Sequence, residues 1–279
     1  MKKRYFAFGC SYTNYNWLML PDLIGVNFEK YYNFGHPGAC HTYILNQVVQ
    51  ANEIYKFNPE TDFITVGTTG YGRFSFVTKD SPCYDWKTHG DIFPEYAGHP
   101  DKARLWAREF ESHRWSVYRS LSSLKTIKLL LTSMNIEHKI YSSIYNKHND
   151  PYTIDRDGID DQTIDMISQI GKIIDTRESI DELLIDDLST RGLRGVPEHP
   201  WIDGHPTINV TYEYLKKYFP EYNTDIVKSV CAEHLDLMNT CPTLESYKEQ
   251  FQLKYINIYR TDHDSINRLK FHPYYARQI

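Results

Sequence analysis

Three short apolar runs, each stopped by a polar turn containing glycine, constrain this chain more than any other feature. The first, Arg4 to Phe8, stops at Gly9-Cys10-Ser11. The second stops at Asn33-Phe34-Gly35-His36-Pro37-Gly38, and the third, the β-branched run Asp62 to Val66, at Gly67-Thr68-Thr69-Gly70. Short apolar runs bounded by turn residues read as buried strands. Helical spacing follows the first two: Trp17, Leu18, Leu20, Leu23 and Ile24, punctuated by Pro21, and then Tyr43, Ile44, Val48, Val49 and Ala51 in a helix beginning near Ala39. Strands alternating with helices predict an α/β fold of three layers, a doubly wound, mostly parallel sheet with helical insertions. Ligands bind such sheets beyond the carboxyl ends of the strands, where strand order reverses. Three polar, glycine-bearing turns at one edge are therefore the candidate site.

Further along, Thr68 to Asp101 reads as a long loop rich in Gly, Pro, Tyr, Asp and His. A loop of that length in a compact domain carries function more often than not. A helix is predicted from about Lys102 to Met134, with Val117, Leu121, Leu124, Leu131 and Met134 on one stripe. Its other side bears Lys102, Arg104, Arg108, Arg114, Arg119 and Lys125, read as a solvated face. The segment "HKIYSSIY" is a fourth strand. Residues 158–190 read as an acidic helical insertion, "VTYEYLKKYF" as a helix, and residues 223–279 as a C-terminal extension, helical and then irregular. Nothing divides residues 1–279 into two domains.

Hydrophobic residues make up 41% of the chain and net charge is −5, which argues against disorder and against a general polyanion surface; no nucleic-acid partner is expected. The N-terminus is basic, but the apolar run behind it is too short for a secretory segment or a membrane span. The expected setting is the cytoplasm, without membrane association. Five cysteines at 10, 40, 83, 231 and 241 include no Cys-x-x-Cys pair, so neither a disulfide framework nor a zinc site is expected. His36 and His41 flank Cys40 without a familiar zinc spacing. No metal and no cofactor are expected.

Ser11 has two readings. A Ser between a strand and a helix caps the free N–H groups of that helix, or it is a nucleophile at the strand end. A Ser hydroxyl is a poor nucleophile at neutral pH and needs a base. Asp203-Gly204-His205-Pro206 offers one: the carboxylate of Asp203 orients the imidazole of His205, whose other nitrogen takes the proton. Together they make a triad in the chain order Ser, Asp, His. Asp203 also has a structural reading, as a cap of the helix after Pro206.

With these blocks in hand, the chain resembles the SGNH (GDSL-type) hydrolases. "FGCSYT" stands where that family has Gly-Asp-Ser, "NFGHPG" matches its Asn-x-Gly-x-x-Gly block, and "DGHP" matches the block carrying Asp and His. The resemblance implies a flavodoxin-like fold, Ser11 as nucleophile, Asp203 and His205 as its partners, and backbone N–H groups of Ser11 and Gly38 in the oxyanion hole. Three departures stand out: Cys10 replaces the motif Asp, one residue rather than two separates Asp203 from His205, and Thr69 occupies the place of an oxyanion-binding Asn. Losing one such donor costs roughly 10²–10³-fold in rate. Thr69 offers a hydroxyl, and Arg73 in the same segment offers a charged donor to oxyanion or substrate. The divergence and the unmatched insertions resemble a virus-encoded relative. The implied activity is hydrolysis of an ester, an O-acyl group on a carbohydrate or small polar molecule, with loop 68–101 and the acidic helices shaping the pockets. Acyl transfer to an acceptor hydroxyl through the same triad is the first alternative. A binding or structural module on a decayed SGNH scaffold is the second.

Overall fold

The computed structural model describes residues 2–15, 17–77, 86–91, 112–144, 160–180, 182–183 and 205–251. In chain order the elements are β1 (Arg4–Phe8), α1 (Leu20–Gly25), β2 (Lys30–Asn33), α2 (His41–Tyr55), β3 (Asp62–Gly67), β4 (Arg73–Val77) and β5 (Trp86–Asp91). There follow α3 (His113–Ser133), β6 (Glu137–Tyr141), α4 (Asp161–Ile173), α5 (Ile208–Tyr218), α6 (Asp225–Thr240) and α7 (Leu244–Phe251).

This is an α/β protein built on a four-stranded, wholly parallel sheet of order β2-β1-β3-β6. Arg4 aligns with Lys30 on one side and Asp62 on the other, and Phe63 aligns with Glu137. The chain leaves β1 for β2 in one direction, then crosses to the far side of β1 for β3 and β6, so the strand order reverses between β1 and β3. Helices α1, α5 and α6 pack on one another, and α3 packs on both α2 and α4.

Alternation along β1 explains the two faces, because successive side chains of a strand point to opposite sides. Phe6 stacks on Tyr32 at 4.7 Å between centroids and packs on Tyr55 of α2 and on Phe57. Tyr5, on the other face, stacks on Tyr31 and Phe63, and Phe63 in turn meets Tyr222 beyond α5. The Tyr5 hydroxyl shares a 2.6 Å hydrogen bond with Thr65. At the amino ends of the strands, Arg4 grips the buried Asp62 with two N–H groups, at 2.7 and 2.6 Å, a charge-assisted fork that fixes the register of β1 on β3.

Four expectations from the sequence need correction. No helix follows Ser11 directly: the Cys10 carbonyl accepts from Thr13 and Asn14 N–H groups in a single turn, and α1 starts only at Leu20, with Pro21 in its first turn. Proline belongs there because its missing N–H would have had no partner in a first turn. Second, the segment from Thr68 to Asp101 is not all loop, since β4 and β5 pair antiparallel in a sheet of their own; its residues 78–85 and 92–101 lie outside the described residues. The β-forming run Arg73-Phe-Ser-Phe-Val77 was masked by the Gly and Asp around it. Third, the described helix α3 begins at His113, not Lys102, because the Ser112 hydroxyl caps it by accepting the Trp115 N–H at 3.1 Å; residues 102–111 lie outside. Its stripe of Val117, Leu121, Leu124 and Leu131 is buried as expected.

Fourth, the acidic stretch is not one continuous helix: after α4 the chain leaves the helix to cover the edge of β6, and it is helical again at Ile180. Asp175 N–H donates to the Ile140 carbonyl at 2.7 Å, its carboxylate accepts the Ile140 N–H at 2.7 Å, and the Ser142 N–H donates to Thr176 at 3.0 Å. Exposed strand edges need partners, and that demand outweighs helix propensity here. Residues 184–190 of the stretch, and the tail from 252, lie outside the described residues. No helix among the described residues is long and apolar enough to cross a membrane. The four described cysteines are free, buried thiols.

Candidate active site

The turn after β1 and the loop after β2 are built as one unit. The Phe34 N–H donates to the Ala7 carbonyl at 2.8 Å and the His36 N–H to the Gly9 carbonyl at 3.0 Å. Side chains complete the joint: the Asn33 amide donates to the Thr13 carbonyl at 2.9 Å while its oxygen accepts the Gly35 N–H, and the Asn14 amide donates to the Gly35 carbonyl. Asp22, itself buried, accepts from Met19 N–H and the Tyr31 hydroxyl, which fixes α1 against β2. The block "NFGHPG" thus holds the Ser11 turn from the side.

Ser11 lies at the carboxyl end of β1, 4% exposed, and its hydroxyl makes no hydrogen bond among the described residues. Gly38 is the third residue of the turn His36 to Ala39, closed by a 3.0 Å bond from Ala39 N–H to His36 carbonyl. Its φ of +76, after a proline, matches a type II turn and explains why glycine stands there.

Beyond β3, the Thr68 N–H bonds the Tyr141 carbonyl and extends the sheet by one rung. Thr69 is fully buried, and its N–H donates to Nε2 of His41 at 3.1 Å. An imidazole that accepts at Nε2 carries its proton on Nδ1, so Nδ1 donates to the Ser120 hydroxyl at 3.0 Å. His41 therefore ties α2, the β3 turn and α3 together in one neutral tautomer. Its isolation from water lowers its pKa from 6.5 to about 3, and the charges of Arg73 and Arg119 push the same way. The Thr69 amide is thereby committed to His41. Arg73 opens β4, after a turn in which its N–H bonds the Gly70 carbonyl.

A histidine kept neutral makes the fold sensitive to acid. The pKa of His41 is lower folded than unfolded, so its contribution to stability is complete above about pH 6.5 and is lost as pH falls toward 3. His234, buried against the Tyr247 hydroxyl and lowered to about 3 by burial, acts in the same window. The melting temperature is expected to hold above pH 6.5 and to fall steadily below it, with a shallower fall in His41→Gln. A His41→Gln profile running parallel to that of the parent would refute this account.

His205 stacks on Tyr15, with centroids 3.6 Å apart and planes 14° from parallel, and also contacts Tyr12 and the edge of Trp17. The Trp17 indole N–H holds the next residue by a 2.7 Å bond to the Pro206 carbonyl. His205 is thus brought to the residue directly after Ser11, across more than 190 positions of chain. No hydrogen bond joins it to Ser11. Catalytic hydrogen bonds commonly tighten only when substrate is present. Asp203 lies outside the described residues.

The structure therefore gathers Ser11 and Gly38 through direct hydrogen bonding of their loops, and sets Thr69 just beyond the end of the neighbouring strand β3, with Arg73 at the start of β4. Sequence reading missed the bridging role of His41 and the aromatic cradle of His205. Tyr12 and Tyr15, three apart, carried a usable signal for the cradle; the Thr69 amide as partner of His41 had none. Among the described residues no group of three or more His, Cys, Asp or Glu side chains gathers as a metal ion would require. A cavity of about 720 Å³ opens elsewhere, between the first turns of α3 and α4. It is lined by Trp115, Tyr118, Gln162 and Asp165, and not by Ser11, Gly38, Thr69 or His205. No protein-family model matches this chain, and no curated protein matches it.

Proposed function

We propose that the chain is a serine esterase of the SGNH type, with a flavodoxin-like doubly wound sheet, that hydrolyses an O-acyl ester of a carbohydrate or small polar molecule. The observation that carries this reading is the joining of the Ser11 turn to the Gly38 loop at the reversal of strand order, with His205 packed on Tyr12 and Tyr15. Ser11 attacks the ester carbonyl and its proton passes to His205. Asp203 orients the imidazole, which returns the proton to the departing alcohol. Water then repeats the sequence on the acyl-Ser11 intermediate. The developing oxyanion is met by the N–H groups of Ser11 and Gly38, with the Thr69 hydroxyl replacing the usual amide donor. Free buried thiols at Cys10, Cys40, Cys231 and Cys241 support a reducing, cytoplasmic setting.

A fluorophosphonate probe tests the reading directly. The folded protein is expected to acquire one covalent label, located on Ser11 by peptide mass spectrometry. Failure of folded protein to react, or reaction at another serine, rejects it.

A further inference from the structure

Arg73 is the sharpest chemical anomaly at this edge. Its Nη1 is fully buried and makes no hydrogen bond among the described residues. No described carboxylate pairs with it either. Buried charges in proteins are paired or hydrogen-bonded, since desolvation is otherwise uncompensated, and a buried group without a partner often marks the place of an absent ligand. The surroundings add positive charge. Nη2 of Arg119 donates to the Arg73 carbonyl at 3.5 Å, which brings a second guanidinium to the backbone of Arg73. His41, close enough to feel both cations, is neutral and supplies no counter-charge.

We propose that the site takes an ester bearing an anionic group, a carboxylate or a phosphate, and that Arg73 reads that anion through its unpaired N–H. The assignment of the anion to an ester rests on the esterase reading above; the binding of the anion does not. A guanidinium suits the task because its planar fork donates two parallel bonds to carboxylate or phosphate, where an ammonium acts as a point charge. This role differs from contact with the reaction oxyanion, because it discriminates between substrates instead of speeding all of them.

The test has a binding arm and a kinetic arm. Inorganic phosphate and succinate are titrated separately by calorimetry into the parent, Ser11→Ala, Arg73→Gln and Arg73→Lys proteins, each first shown by melting to be folded. Parent and Ser11→Ala are expected to bind at least one of the two anions alike, which also separates the two sources. Arg73→Gln is expected to bind it at least tenfold more weakly, about the worth of one hydrogen bond to a charged group. Arg73→Lys, which keeps the charge, serves if Arg73→Gln does not fold, and is expected to bind several-fold more weakly than the parent. Absence of binding of both anions to folded parent, or unchanged binding in the folded variants, overturns the proposal. In the kinetic arm, kcat/KM for mono-4-nitrophenyl succinate is expected to fall about 10- to 100-fold in Arg73→Gln, with 4-nitrophenyl butyrate nearly unaffected. An equal fall for both esters overturns the proposal in favour of an oxyanion role. If neither ester is cleaved while Arg73-dependent anion binding persists, the anion site stands and the esterase reading fails.

Discussion

Ser11→Ala is expected to lower kcat/KM for 4-nitrophenyl acetate by roughly 10⁴- to 10⁶-fold, the scale on which removal of a triad nucleophile acts, while the protein stays folded. The separation of the two effects follows from the geometry. The Ser11 hydroxyl makes no hydrogen bond among the described residues, so truncation leaves no buried partner unsatisfied. The melting temperature is expected to move by no more than about 2 °C, the size of a shift worth under 1 kcal/mol in a chain of this length. His205→Ala is expected to match the kinetic loss, and the double variant to be no worse than either, because nucleophile and base act as one unit. The stability of His205→Ala should suffer more, since the stack on Tyr15 is lost with the ring. Steady-state kinetics and thermal melts on the three variants decide the matter. Activity within tenfold of the parent in Ser11→Ala would remove Ser11 from the chemistry.

Gly35→Ala is expected to lower stability and activity together. A β-carbon at Gly35 would lie 2.7 Å from the Thr13 Cβ and 2.8 Å from both the Asn14 Cβ and the Thr13 Cγ2. Two of these atoms are themselves β-carbons, which cannot rotate aside, so the backbone of one loop must move. Overpacking of this kind costs about 1–3 kcal/mol. Here the bonds between Asn33 and Thr13 and between Asn14 and Gly35 loosen as well. The displaced segments are the two that present Ser11 and Gly38, and a misplacement of about 1 Å at such a site can cost 10²-fold in rate. Chemical denaturation and kcat/KM measured together should show both losses. Gly171→Ala is the control: nothing lies within 4 Å of its added carbon, it sits inside α4, and a gain of about 0.5–1 kcal/mol is expected there. Equal behaviour of the two variants would mean that the contact at Gly35 relaxes freely.

The parallel sheet was legible because each of its strands is short, buried and stopped by a turn, as in Asp62 to Gly67, where pattern and structure coincide. The positions of Ser11 and Gly38 were legible for the same reason: strand ends and positive φ leave local marks in sequence. What escaped notice depends on partners distant in the chain. β4 is written in only five residues, among turn formers, and its pairing with β5 is not local. Asp175 reads as one acid among many, yet both its N–H and its carboxylate complete the edge of β6. Arg73 carries no mark of its own in the sequence, and only the burial of its Nη1 without a partner among the described residues sets it apart from a surface arginine.

The hydrogen bond from the Thr69 amide to His41 has a consequence for exchange with solvent. Thr69 sits in a turn, where amides usually trade their hydrogen for deuterium quickly, but this one is fully buried and held by a ring nitrogen. It is expected to exchange as slowly as the amides of β1 and β3. It should also be the first of that slow set to be released when acid reaches the imidazole, because a protonated Nε2 has no lone pair left to offer. A single amide signal thus reports, from inside the candidate site, on the charge state of His41.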